Sequence, residues 1–314
     1  MFEAVLEEIQ KHDRIIIHRH SNPDGDAIGS QVGLKHLILD NFPGKQVYTV
    51  GDPAGRYAFM DDSTMDEIPD SFYSGALVFV VDVSADHLIS DKRYRLAEKT
   101  IRLDHHISGP TRFCDLEIAD SSYESACGLI TQMALELNLD ISLIAARSLY
   151  TGMVTDSGRF RYDCTTPRTL RLAAVLLEKG LDLNKIFLNL YEDTLENVQV
   201  RAGFINRIQT TPHHVAFIYT DLKTVHSLPM DTFSISRGMV SAMSDLKGIS
   251  IWANFTETDE HTVLCELRSS QYNINPIAVK YGGGGHAKAS GATLHCREEA
   301  MAMLADLDAM MLGE

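Results

Sequence analysis

Three short apolar runs each end in carboxylates and imidazoles, and no other feature of the chain narrows its fold as far. Residues 15–17 lead into His-Ser-Asn-Pro-Asp-Gly-Asp at 20–26, residues 77–81 into Asp82, and residues 100–103 into Asp104-His105-His106. The runs are brief, rich in β-branched residues and bounded by turn formers, which reads as buried strands. In an open α/β sheet, ligands lie beyond the carboxyl ends of the strands. The charged groups are therefore expected to converge, and oxygen-rich donors with a few imidazoles describe a divalent metal site.

The surrounding pattern agrees. The first half alternates strands with helical stretches, predicting a doubly wound, mainly parallel sheet. Residues 27–39, 124–137 and 141–153 read as helices, 46–50 and 112–119 as further strands. After a helix-rich stretch over 167–209 the pattern restarts, with strands at 215–220, 249–256 and 262–267 and helices at 232–246 and 298–311. At 314 residues, two domains are expected. A metal-binding catalytic domain over 1–190, a helical linker over 191–212 and a smaller mixed α/β domain over 213–314 fit these breaks.

Charge limits the partners. The net charge is −15, and residues 213–314 hold 12 acids against 7 Lys and Arg, so neither half is basic. A protein that tracks a long nucleic acid needs a basic stripe, and none is expected here. Five scattered cysteines without a CxxC pair suit reduced thiols in a cytoplasm. No apolar run approaches a membrane span, and the acidic amphipathic start lacks the pattern of a secretory signal.

Several residues carry chemistry. Pro23 and Gly25 predict a tight turn that lets His20, Asp24 and Asp26 point at one centre; the alternative is a solvated acidic turn. A calcium loop fits poorly, because Ile28 takes the next ligand position. Asp82 reads either as a ligand or as a helix N-cap. In Asp104-His105-His106 one imidazole can bind metal while its neighbour faces substrate. Asp156, in Thr-Asp-Ser-Gly-Arg-Phe, is a ligand or part of a helix-ending loop. Two ions bridged by one carboxylate suit this inventory, which lacks thiolates and favours Mn²⁺. Farther on, Tyr-Gly-Gly-Gly-Gly-His at 281–286 is a linker or an anion cradle, the glycines letting backbone N–H groups approach a phosphate. Arg268, followed by Ser269, offers a forked phosphate donor or a surface ion pair. His213 and His214 read as solvated, and the Met-rich end (Met301, Met303, Met310, Met311) as core or an oligomer face, with a homodimer left open.

HSNPDGDAIGS at 20–30, VVDVS at 80–84, DHH at 104–106, TGMVTDSGRF at 151–160 and GGGGHAKASG at 282–291 together resemble the DHH phosphoesterase superfamily. The glycine-rich C-terminal stretch is similar to its standalone nanoRNase and pAp-phosphatase branch, which pairs a DHH domain with a DHH-associated domain across a cleft. The resemblance implies that His20 and Asp24 bind one metal, that Asp26, His105 and Asp156 bind a second, and that Asp82 bridges them. His106 would touch the scissile phosphate, with Arg268, Ser269, Gly284, Gly285 and His286 on the substrate. No role is assigned to Gly109. The implied activity is Mn²⁺-dependent release of 5′-mononucleotides from very short RNA and dephosphorylation of pAp. A cyclic-di-AMP or pApA phosphodiesterase is the alternative enzyme, and a nucleotide-binding sensor without catalysis the alternative from another class.

Overall fold

The computed structural model describes residues 2–106 and 113–312. The chain divides into two compact units, Met1–Glu192 and Asp193–Glu314. In the first, the elements run α1 (Glu3–Lys11), β1 (Arg14–His18), α2 (Gly25–Asn41), β2 (Gln46–Thr49), β3 (Leu77–Val81), β4 (Lys99–Asp104), β5 (Leu116–Ala119), α3 (Ala126–Glu136), α4 (Leu143–Asp156), α5 (Pro167–Leu177) and α6 (Leu183–Tyr191). The strand expected over 112–119 is confined to Leu116–Ala119, and Gly109 and Arg112 lie outside the described residues.

The five strands form one parallel sheet in the order β2-β1-β3-β4-β5. All five residues of β3 are buried, as a strand covered on both faces requires. Ile15, Ile17, Phe79 and Leu103 pack with Leu34, Ile38 and Leu149 of the helices. Ile16, Val78 and Val80 face the other way, onto Tyr73, Ile89 and Tyr94. That second face is closed by short 3₁₀ segments, among them Asp70–Tyr73 and Lys92–Leu96. The chain steps outward from β1 to β2 and then returns to β3, so the strand order reverses between β1 and β3. The crevice beyond the carboxyl ends at such a reversal is where an open sheet binds ligands.

Glycines set how closely α2 and α4 pack. Gly25, Gly29 and Gly33 recur every four residues on α2 and so share one face. A Cβ on Gly29 would lie 2.5 Å from the Ser148 carbonyl oxygen and 3.2 Å from the Gly152 Cα. Without side chains at the crossing, the first turn of α2 and the last turn of α4 come together.

The second unit contains α7 (Leu195–Ile205), β6 (Gln209–Thr210), β7 (Ala216–Thr220), α8 (Leu222–Ser227), α9 (Thr232–Met239), β8 (Ile251–Glu257), β9 (Val263–Ser269), α10 (Asn275–Lys280), β10 (Gly284–His286), β11 (Ala289–Leu294) and α11 (Arg297–Met310). Its sheet has the order β10-β11-β9-β8-β7-β6. β7 and β8 run parallel, and the other neighbours antiparallel. Ala253, Phe255, Cys265 and Leu267 pack with Met303 and Leu307 of α11. Ala216 and Ile218 pack with Phe204 of α7 and Ile235 of α9. Met303 is fully buried, and Met301, Met310 and Met311 lie against the same cluster, so the Met-rich end is core. The helix expected over 232–246 stops at Met239 and continues as a 3₁₀ turn. His214 is exposed as expected, and the His213 side chain, 40% exposed, also has a partner: its Nδ1 sits 2.8 Å from Asp308 Oδ2 on α11. Among the described residues, no helix is long and apolar enough to cross a membrane.

Candidate metal centre

Three strand ends and two helix ends supply the polar groups of the first unit. After β1, Asp24 caps α2, its Oδ1 accepting from the Asp26 and Ala27 N–H groups at 3.0 and 2.9 Å. Asp26 therefore lies in the first helical turn and not in the turn expected before a later helix start. It is 1% exposed. Its two oxygens accept from Ala126 and Cys127 at the start of α3, at 2.7 and 2.9 Å. The N-terminus of α3 thus holds this carboxylate. His20 Nδ1 donates to the Ser21 carbonyl at 2.8 Å, which leaves Nε2 to face inward. Such a carbonyl contact fixes which ring nitrogen can ligate.

Asp82 follows β3 in the left-handed region, at φ 54°, and caps no helix. This turn aims its carboxylate across the switch point. Oδ2 lies 3.4 Å from His20 Nε2, and Oδ1 lies 3.5 Å from His105 Nε2. His105 Nε2 is also 3.4 Å from Asp156 Oδ2 and 3.9 Å from Asp26 Oδ2. Asp156 is the last residue of α4, brought in by the close α2–α4 crossing. Three groups result that could each hold a metal ion: His20 with Asp24 and Asp82, Asp26 with His105 and Asp156, and Asp82 with His105 and His106. Asp82 belongs to two of them, one through each oxygen.

The protonation states show how strongly the cluster calls for cations. Burial raises the Asp26 carboxyl well above its ordinary value, reinforced by the neighbouring Asp82 and Asp156 charges. Burial likewise lifts Asp156 to about 7, against the pull of His105. Burial disfavours the His20 and His105 cations, yet the facing carboxylates overcome it and raise them to about 11 and about 10. In the protein alone, protons balance the packed carboxylates. Divalent ions would displace those protons, and carboxylates and imidazoles without a thiolate suit hard to borderline ions.

Sequence reasoning missed the support behind His106. Its Nδ1 donates to Asp104 Oδ1 at 2.8 Å. Asp104 is paired in turn with the Arg102 guanidinium, and both side chains are fully buried. Arg102 Nε donates to the Val83 carbonyl at 2.7 Å, and Nη1 to Glu117 at 3.2 Å. The Asp104 hydrogen bond raises the His106 imidazole above its ordinary value, against burial. A strand pattern of alternating residues, Arg102 and then Asp104, was the available signal. His18 is buried, with Nδ1 3.1 Å from the Asp91 carbonyl oxygen and Nε2 3.1 Å from the Tyr73 hydroxyl.

The candidates of the second unit gather at one end of its sheet. His286 on β10 pairs with Ala289 on β11, which pairs with Arg268 on β9. Directly paired residues point to one face, so the imidazole and the guanidinium flank a single methyl group. Arg268 Nη1 contacts Glu266 Oε2 at 3.0 Å. The glycine run is a hairpin strand and not a linker: a Cβ on Gly285 would lie 2.6 Å from the Ala289 carbonyl oxygen, and Gly284 pairs with Gly291. The Ser269 hydroxyl donates to Ser250 and accepts from the Gln271 and Tyr272 N–H groups, so its hydrogen bonds lie within the unit.

Residues 14–153 match the DHH family N-terminal domain, and residues 227–312 match the DHHA1 domain. The chain is 32% identical, over 99% of its length and 98% of the relative's, to the bifunctional oligoribonuclease and PAP phosphatase NrnA of Bacillus subtilis (strain 168). It belongs to the DHH family. A probable bifunctional oligoribonuclease and PAP phosphatase NrnA of Streptococcus mutans is 34% identical, with 95% of each chain covered. An exopolyphosphatase-related protein from Bacteroides fragilis shares the fold, with a TM-score of 0.88 at 24% identity over 98% of this chain and 95% of that one. The Asp-His-His triplet at 104–106 begins at the last residue of β4.

Proposed function

We propose that this DHH protein is a Mn²⁺-dependent phosphoesterase that releases 5′-mononucleotides from very short oligoribonucleotides and dephosphorylates pAp. The observation that carries this reading is Asp82, which turns one carboxylate oxygen toward His20 and the other toward His105. In the reading, His20, Asp24 and Asp82 hold one ion and Asp26, His105, Asp156 and Asp82 the other. Ions bound there would supply a hydroxide near neutral pH and neutralise charge on a phosphoryl group. Asp82 and Asp26 keep the two ligand groups fixed, one by a backbone turn and the other by the N-terminus of α3. His106, oriented through Nδ1 by Asp104, is assigned to a phosphate oxygen, where its imidazole would offset charge as it builds. Arg268 and His286 are assigned to substrate phosphate and Gly284 and Gly285 to backbone contacts with it, supported by their shared end of one sheet. The activities in the names of relatives covered over nearly their whole length support the substrate class. The five free thiols accord with a cytoplasmic setting.

Purified protein with Mn²⁺ and separate pAp, diadenylate, pApA, cyclic-di-AMP and pyrophosphate tests the reading. The expected result is turnover of pAp and diadenylate with AMP as product. Hydrolysis of pyrophosphate alone would contradict it. Asp82→Ala should abolish turnover and lower bound metal; two ions held tightly in that variant would remove the bridging assignment.

A further inference from the structure

An arc of exposed arginine and tyrosine side chains borders the metal centre within the first unit, and none of the residues discussed so far uses it. It begins where α4 ends. Gly158, Arg159 and Phe160 are consecutive left-handed residues, with φ of 57°, 63° and 60°. Two of them carry side chains that rarely accept this conformation. Local hydrogen bonds hold the turn: Arg159 N–H donates to the Val154 carbonyl at 2.7 Å, and Phe160 N–H to Ser157 Oγ at 3.0 Å. Phe160 turns inward against Tyr150, ring centroids 5.9 Å apart. Arg159 and Tyr162 are left outside. Tyr162 is 62% exposed, and its ring lies over Gly158, where any Cβ would collide with it.

The arc continues through α6. The Arg159 guanidinium lies over the Tyr191 ring at 4.7 Å, and Tyr191 is 40% exposed. Arg56 donates to the Leu190 carbonyl at 2.8 Å and lies 5.4 Å from the Tyr57 ring. Arg159, Arg56 and Tyr162 are all near enough to perturb the Tyr191 hydroxyl, and Tyr57 in turn meets the Gly25 backbone and feels Asp24. The chain of side chains therefore runs from Asp156 round to Asp24. Among the described residues neither Arg56 nor Arg159 pairs with a carboxylate, although the chain carries 43 acids against 28 Lys and Arg.

Exposed aromatic faces beside arginines are how proteins hold single-stranded nucleotides. Bases stack on the rings, and guanidinium groups take phosphates. We propose that Tyr162, Tyr191, Arg56 and Arg159 form a docking platform for the nucleotide adjoining the scissile phosphate. Tyr162 supplies the stacking face, and Arg159, steadied on Tyr191, pairs with the next phosphate. The platform rests on the proposed nucleotide substrate and deepens it, because it gives the first unit its own means of preferring a nucleoside over a bare phosphoester.

The test measures binding and turnover separately on the full chain in Mn²⁺. The binding probes are two adenosines joined by a non-hydrolysable methylene phosphonate and bearing a terminal phosphate at each end, and the same compound lacking the base the platform would stack. Tyr162→Ala should weaken the two-base probe by about tenfold and change the one-base probe far less. Tyr162→Phe should restore binding, and Arg159→Gln should weaken both probes together. Equal effects of Tyr162→Ala on both probes, or none on either, would overturn the platform. Ordinary diadenylate left intact by wild type would contradict the proposed activity, while the binding comparison would still decide the platform.

Discussion

The His106 imidazole and the metal ligands lie within one cluster, yet the geometry gives them separable tasks. His106→Ala should keep nearly the wild-type metal content while kcat falls by about 10²–10³, the loss typical of one transition-state donor. A variant short of one ion would mean that His106 ligates and His105 does not. Asp104 acts only through His106 in this account. Asp104→Asn should lower kcat in the wild-type background and cost little more once His106 is alanine, because coupled residues are not additive. Additive losses would assign Asp104 to the fold alone. The six ligand candidates were legible because each follows an apolar strand or sits in a motif with glycine or proline beside it. Asp104 and Arg102 were missed: their alternation on one strand was visible, but that the pair is fully buried and backs His106 shows only in the structure. Asp82 could be a ligand or a cap on sequence alone, and its left-handed turn decides which way it points.

At the level of elements, the α2–α4 crossing positions the carboxylates of Asp26 and Asp156. Gly29→Ala places a methyl group 2.5 Å from the Ser148 carbonyl oxygen, and overpacking of this kind costs about 1–3 kcal/mol. The first unit should melt several degrees lower, and Mn²⁺ titration should show weaker binding as the helix ends separate. Unchanged melting would mean that the crossing tolerates the methyl group. The repeat of glycine every four residues is visible in the sequence, but its partner helix lies over a hundred residues later and is not. In the second unit α11 is tied to the β6–β7 turn through Asp308. Burial opposes its charge, but hydrogen bonds from Thr211 and His213 hold its carboxyl below the ordinary value of 3.8. A depressed folded value means fewer protons bound in the folded state. The stabilisation is therefore whole above pH 4 or so and fades as pH falls through the folded value. Asp308→Asn should be less stable than wild type at pH 7 by about 1 kcal/mol, with the gap closing in urea titrations as pH falls below 3.8. A gap constant with pH would remove the charge from the explanation.

For the whole molecule, charge and substrate size are linked. The net charge is −15, so each added phosphate beyond the metal centre and its arginines meets an acidic surface without the gain of counterion release. The parallel sheet and the mixed second sheet could be read from alternating patterns. The hairpin at 284–294 could not, because four glycines look alike in a linker and in a tight strand pair. The most direct test of a centre built for short substrates is kcat/KM in Mn²⁺ at physiological salt for a diribonucleotide beside RNAs of about 10 and about 24 residues. The account predicts a steep fall with length and 5′-mononucleotides as product. Turnover of the longest RNA equal to or above that of the diribonucleotide would contradict it.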